Sequence, residues 1–256
     1  MLVAALDTAT LTLSCALVDL PEPGTGAPPT VRCERTERAP QKGAAGAPVG
    51  HGGRLPGALA DLLTAEGLAL PAVEGYAVGL GPGSFTGLRI GLATWKGLAY
   101  ANRRPISGAS SLAAMALAAA PDAPAGALLV PLLDAKKGEV YAGFYRAEGG
   151  SVRAQEPEAA LSPAALADRL APHADALVFG EGYAAFEAAL EGKVRRLRTA
   201  IDSPPASAIA ALAACTLGRV SYDAQALFAL EPHYVRKSEA EVKFPDGLGP
   251  GAKHSP

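Results

Sequence analysis

The sequence predicts an α/β protein made of two tandem βββαβα units. Two observations carry this. An apolar strand, an aspartate, a tight turn and an alternating strand occur twice, as ALDTATLTLSCAL around Asp7 and as LLDAKKGEVYAGF around Asp134. Each pair is followed by a third extended run, a helical run, a short apolar strand and a second helix. Asp7 and Asp134 lie about half the chain apart, as expected of a diverged internal duplication. The expected organisation is a first unit over residues 1–104, a second over 105–243, and a tail at 244–256. The tail is short, terminal and rich in glycine and proline, the composition of a disordered segment.

The elements follow in order. Leu2 to Ala5 is an apolar strand that runs to Asp7. Leu11, Leu13, Cys15 and Leu17 alternate with Thr12, Ser14 and Ala16, a period of two that predicts a second strand. A proline and glycine loop spans 21–29. Val31 to Arg38 reads as an edge strand with charges on its exposed face, and 39–50 as a loop. From Arg54 the leucines Leu55, Leu59, Leu62 and Leu63 fall at helical spacing until Gly67. Leu70 to Leu80 supplies the next strand. Residues 85–102 form a helix with Ser84 as N-cap. In the second half, strands are expected at 128–133, 140–144, 152–161 and 176–179. A helix should start at Pro163 behind the cap Ser162, and an alanine-rich helix should cover 207–217.

Composition limits the function. The 256 residues are 49% hydrophobic with a net charge of −2, enough for a sizeable core and too little positive charge for a stand-alone nucleic-acid interface. A single tryptophan, Trp95, and no run that mixes basic and aromatic residues point the same way. Cys15, Cys33 and Cys215 form no CxxC pair. Cys15 reads as a small core residue. The first residues lack a basic stretch followed by an apolar one, and no run of 18 apolar residues occurs, so a soluble cytoplasmic protein is expected. The histidines His51, His173, His233 and His254 are scattered and suggest neither a metal site nor a triad.

One stretch is unusual. GLGPGSFTGLRIGLATWKGLAYANRR, from Gly79 to Arg104, is a strand end, a glycine-proline turn and a helix with Gly87, Gly91 and Gly97 in its interior. Each such glycine costs roughly 1 kcal/mol relative to alanine. At 100° per residue Gly87, Gly91, Thr94, Leu98 and Ala101 share one stripe, which predicts close packing inside the fold or against a partner. A glycine-rich turn at a helix start also suits an anion. The spacing is nevertheless not that of a P-loop, a dinucleotide fingerprint or a nucleophile elbow.

GPGSFTGLRIG resembles the signature of the TsaB family, bacterial proteins required for making threonylcarbamoyladenosine on transfer RNA. Four further stretches are similar to the family: LDTAT at the start, HGGRLPGALADLL, LDAKKGEVYAGFY and EPHYVRKSEAE. The matches run from the first strand to about Glu241 and are poorest over 21–50 and beyond Phe244. The tandem units also match the architecture of the actin, sugar-kinase and heat-shock ATPase superfamily, where an aspartate at each hairpin faces nucleotide and magnesium.

The resemblance implies a non-catalytic subunit that pairs with a TsaD-type catalytic subunit and is joined by a TsaE-type ATPase. The machine modifies adenosine 37 of transfer RNAs that read codons starting with A. It implies a partner contact through helices 54–66 and 85–102, assigned to Leu55, Leu59, Leu63, Gly87, Gly91, Thr94 and Leu98, with a homodimer through the same patch when alone. No catalytic or metal residues and no required cofactor are expected, and no direct strong nucleic-acid or membrane binding. Residual weak ATP or ADP and magnesium binding would fall to Asp7, Thr8, Gly83, Ser84 and Asp134. TsaD carries a His-x-x-x-His metal motif; the equivalent segment here, PISGASSLAAMA, places Ser111 and Met115 at those positions. The rival readings are a small-molecule kinase or ATPase, a metalloprotease, and an RNA-binding module.

Overall fold

The computed structural model describes residues 1–38, 54–148 and 150–236. Expectations on His51, on the 39–50 loop, on the end of EPHYVRKSEAE and on the 244–256 tail lie outside these residues. Two mixed sheets form the two lobes. The first has strand order β3-β2-β1-β4-β5, with β1 Leu2–Asp7, β2 Thr12–Asp19, β3 Thr30–Arg38, β4 Gly75–Gly79 and β5 Ile106–Ala109. The second has the order β8-β7-β6-β9, with β6 Leu128–Lys136, β7 Glu139–Glu148, β8 Ser151–Leu161 and β9 Ala176–Phe179. In both, the first three strands form an antiparallel meander and the fourth runs parallel to the first. The duplicated α/β topology expected from the sequence is therefore present in each lobe.

Helices cover the sheets. Helices α1 (Leu55–Ala65) and α2 (Phe85–Asn102) pack on one face of the first sheet, where Leu55, Leu59 and Trp95 meet Leu6, Leu13 and Cys15. The Trp95 indole N–H donates to the Ala4 carbonyl at 3.0 Å, which satisfies its one polar atom in the core. Helix α7 (Ala206–Leu217) covers the opposite face, against Val3, Ala5, Ala16 and Val18. Strand β2 is thus buried on both faces. Small residues on the second face let α7 approach it.

Helices α3 (Ser111–Ala119) and α7 cross between the lobes. α3 follows the first sheet but packs on the second, with Leu112, Met115 and Ala116 against Leu129 and Leu133. α7 comes from the second half but packs on the first sheet. The chain boundary at 104 therefore does not divide the lobes. β5 completes the first sheet, and Ala206–Leu217 belongs with that sheet by packing. Across this junction the Glu34 carboxylate of β3 accepts from Ser207 N at 3.1 Å and from Ser207 Oγ at 2.6 Å, at the start of α7. A negative group there suits the helix dipole.

Helix α4 (Pro163–Leu170) starts behind Ser162, whose hydroxyl accepts from Ala165 N as expected. Short helices α5 (Glu181–Ala185) and α6 (Glu187–Leu190) follow β9. Helix α8 (Ala224–Ala229) lies back on α2 of the first lobe.

Candidate functional site

Two features have functional potential: the cleft between the lobes and the outer face of α1 and α2. The cleft has a volume of about 720 Å³ and is lined, among others, by Gly83, Ser84, Asp134, Lys136, Glu181 and Arg236. Its first-lobe wall is the turn between β4 and α2. Ser84 caps α2 there, its hydroxyl accepting from Gly87 N at 3.2 Å. Gly81 adopts a φ of +95°, which the turn requires of a glycine. A methyl on Gly83 would overlap the backbone of Ala9. That glycine serves close approach of the turn to the β1–β2 hairpin.

The second wall is largely self-neutralised. Lys136 Nζ pairs with Asp134 Oδ2 at 2.6 Å, and Arg236 donates to Glu139 Oε2 at 2.9 Å and to the Ala135 carbonyl at 3.0 Å. Burial pushes the Glu181 carboxyl above the ordinary carboxylate range, while Arg38 and Lys136 pull it back.

Asp7 and Thr8 are not placed in the cleft with the other three residues expected there. Both are buried. Asp7 Oδ1 accepts from Ala9 N at 2.8 Å, and Oδ2 accepts from the Ser111 hydroxyl at 2.6 Å. Thr8 Oγ1 donates to the Gly87 carbonyl at 2.9 Å. Gly79 passes so close that a Cβ there would overlap the Asp7 carboxylate. Burial raises the Asp7 pKa to about 7, against the lowering effect of the Ser111 and Ala9 hydrogen bonds. Neither residue lines the cleft; of the five, only Gly83, Ser84 and Asp134 do. Of the five, Asp134 alone offers the cleft a carboxylate, and it is paired to Lys136; Glu181 and Asp202 are the other carboxylates of the lining. Ser111 and Met115 are buried in α3. Among the described residues no group of three or more His, Cys, Asp or Glu side chains is placed to share a metal.

The helix face also needs correction. Leu55, Leu59 and Leu63 are core residues, and Gly87 and Gly91 are buried against the first hairpin. A methyl on Gly87 would overlap the Thr8 carbonyl, and one on Gly91 the Thr8 hydroxyl. These glycines are explained by packing within the chain. Thr94 and Leu98 are half-buried, with Leu98 packed against the same core. The exposed residues include Gly57, Ala60, Asp61 and Thr64 on α1, and Thr86, Arg89, Ala93 and Gly97 on α2. Gly57 and Gly97 face open space: a Cβ at either position would have no atom within 4 Å beyond its own helix backbone and chain neighbours. Gly97 therefore costs helix stability without an internal packing reason.

Sequence reasoning missed the segment that lies along the other flank of α2. Phe228 packs against Tyr100, and Tyr234 against Phe85, with tilted rings. These residues fall in a stretch with little periodicity, and only EPHYVRKSEAE drew attention to it.

The comparisons with known proteins agree with this architecture. Residues 47–244 match the family model described as TsaD: tRNA N6-adenosine threonylcarbamoyltransferase. The tRNA threonylcarbamoyladenosine biosynthesis protein TsaB of Escherichia coli is 39% identical over 121 residues, 47% of this chain and 52% of that protein. TsaB of Bacillus subtilis is 35% identical over 108 residues, 42% of this chain and 46% of that protein. The chain thus spans about half the length of the curated relatives it matches. Among solved structures, YeaZ from Pseudomonas aeruginosa superposes with a TM-score of 0.70 at 31% identity, covering 91% of this chain and 99% of that one. The chain belongs to the TsaD family of tRNA N6-adenosine threonylcarbamoyltransferase proteins and is of the TsaB type within it.

Proposed function

We propose that this chain is a non-catalytic subunit in threonylcarbamoyladenosine formation on transfer RNA. Its partner is a TsaD-type catalytic subunit, with a TsaE-type ATPase joining the pair. The observation that carries the non-catalytic reading is the burial of Asp7, with both oxygens hydrogen-bonded. At this position the superfamily fold would present a carboxylate to a metal-nucleotide. A kinase or ATPase would need that group in the cleft.

The partner contact uses the outward faces of α1 and α2. Gly57, Ala60, Ala93 and Gly97 keep those faces low, so that two helices of another subunit can pack closely and complete a four-helix bundle. Gly97 in particular gains its reason from such an approach. When the partner is lacking, the same face takes a second copy as a symmetric dimer.

The test is reconstitution. Purified chain, its cognate TsaD-type subunit, the ATPase, threonylcarbamoyl-adenylate and transfer RNA are combined and modified adenosine is measured. The expected result is transfer only when the subunits are assembled, and unchanged transfer with Asp7→Asn. Turnover of ATP or substrate by this chain alone, abolished by Asp7→Asn, would establish the kinase-like alternative instead.

A further inference from the structure

We infer that the flank of α2 carrying Phe85, Arg89, Lys96 and Tyr100, backed by the C-terminal segment, is a docking strip for an acidic-faced helix of the partner subunit. The inference rests on the partner reading above and adds the chemistry of what docks.

The strip starts from the sequence of α2. FTGLRIGLATWKGLAYAN holds two charged residues, Arg89 and Lys96, and both are cations. They are seven residues apart, which places them about 10 Å apart on one side of the helix. Neither has a carboxylate partner among the described residues. Both are instead held by the segment that returns from the second half. Arg89 Nε donates to the Tyr234 hydroxyl at 3.1 Å, and Lys96 Nζ donates to the Phe228 carbonyl at 3.0 Å. The Arg89 guanidinium also lies 3.9 Å from the centroid of the Phe85 ring. Among the described residues, two cations are thus pre-positioned by neutral partners with no carboxylate paired to either, in a chain whose net charge is −2.

The aromatic residues complete the strip. Phe85, Tyr100, Phe228 and Tyr234 are 38%, 54%, 63% and 41% exposed, and they are the exposed large aromatics of the described residues. All four sit on this one flank. They form two pairs, Phe85 with Tyr234 at 5.1 Å between ring centroids and Tyr100 with Phe228 at 5.6 Å. Each pair adjoins one end of the Arg89–Lys96 span. Exposed aromatics beside arginine are the composition of interface hot spots. A helix with two carboxylates about two turns apart meets both cations and lays its apolar residues on the aromatic pairs. The strip is continuous with the low face of α1 and α2, so one subunit can cover both.

The experiment measures affinity of the full chain for its cognate TsaD-type subunit by calorimetry at two salt concentrations. Wild type should bind, and more weakly at high salt. Arg89→Glu with Lys96→Glu should lose about 100-fold at low salt, with a flatter salt dependence. Phe228→Ala should lose about 10-fold. Lys193→Glu, an exposed cation on the second lobe, should stay within about 2-fold. Circular dichroism verifies that each variant is folded, and Arg89→Gln with Lys96→Gln provides a milder pair that should also flatten the salt dependence. If wild type binds and the charge variants bind equally well, the inference is overturned while the partner reading stands. If the charge variants keep the subunit and instead lose a transfer RNA transcript, the strip is a phosphate-binding surface and the inference is again wrong. If wild type does not bind the subunit, the partner reading fails and the inference falls with it.

Discussion

The Ser111 hydroxyl donates to the Asp7 carboxylate at 2.6 Å, beneath Gly79 and away from the cleft. One hydrogen bond thus ties the first residue of α3, the helix that covers the second sheet, to the end of the first strand of the first sheet. With the Ala9 N–H on Oδ1, both oxygens of this buried carboxylate have a partner within the fold.

Asp7 should make stability depend on pH. Its carboxyl titrates near 7 in the fold against an ordinary 3.8. A raised value means that the fold holds the proton more tightly than the unfolded chain. The stabilisation is therefore complete below pH 3.8 and is lost as pH rises through about 7. The full span is on the order of 4 kcal/mol. Asp7→Asn keeps a side chain that can accept from Ala9 N and removes the titration. Denaturant unfolding at pH 5 and pH 8 should show a smaller loss for the variant than for wild type; equal slopes would mean that Asp7 is ionised throughout.

Gly87→Ala and Gly91→Ala should each destabilise the chain, by about 1–3 kcal/mol, because the added methyl meets Thr8. Gly97→Ala should do the opposite. Its methyl enters open space, and the helix gains up to about 1 kcal/mol. Urea titration of the three variants checks this. A loss at Gly97 equal to that at Gly91 would contradict the assignment of inner and outer faces.

Glu34→Ala should cost about 1 kcal/mol, since it removes the acceptor for Ser14 Oγ, Ser207 N and Ser207 Oγ. Hydrogen exchange should rise first at the start of α7. Unchanged protection there would show that the helix end is held by packing alone.

The order of strands and most helices was legible because their signals are local. Alternation gave the hairpins, Ser84 and Ser162 gave helix starts, and the paired aspartates revealed the duplication. What the sequence left open depended on contacts between distant segments. The stripe through Gly87 and Gly91 predicted close packing, but periodicity does not say what approaches, and the neighbour proved to be Thr8. Leucine spacing in α1 marked its core side, which is why Leu55, Leu59 and Leu63 are unavailable to a partner. α7 carries an alanine-rich pattern that fits either sheet; the small residues of β1 and β2 decide the matter. Likewise Asp7 reads as a ligand by position, and only the approach of Gly79 and Ser111 shows it buried.

The most direct test of the account is the binding of wild type and Gly97→Trp to the cognate TsaD-type subunit, the variant first shown to unfold at no lower denaturant concentration than wild type. The account predicts a stable pair with wild type and at least about 30-fold weaker binding with the tryptophan, whose bulk stands where a partner helix must approach. Wild-type affinity retained by a folded Gly97→Trp would place the partner elsewhere and contradict the assignment of α1 and α2.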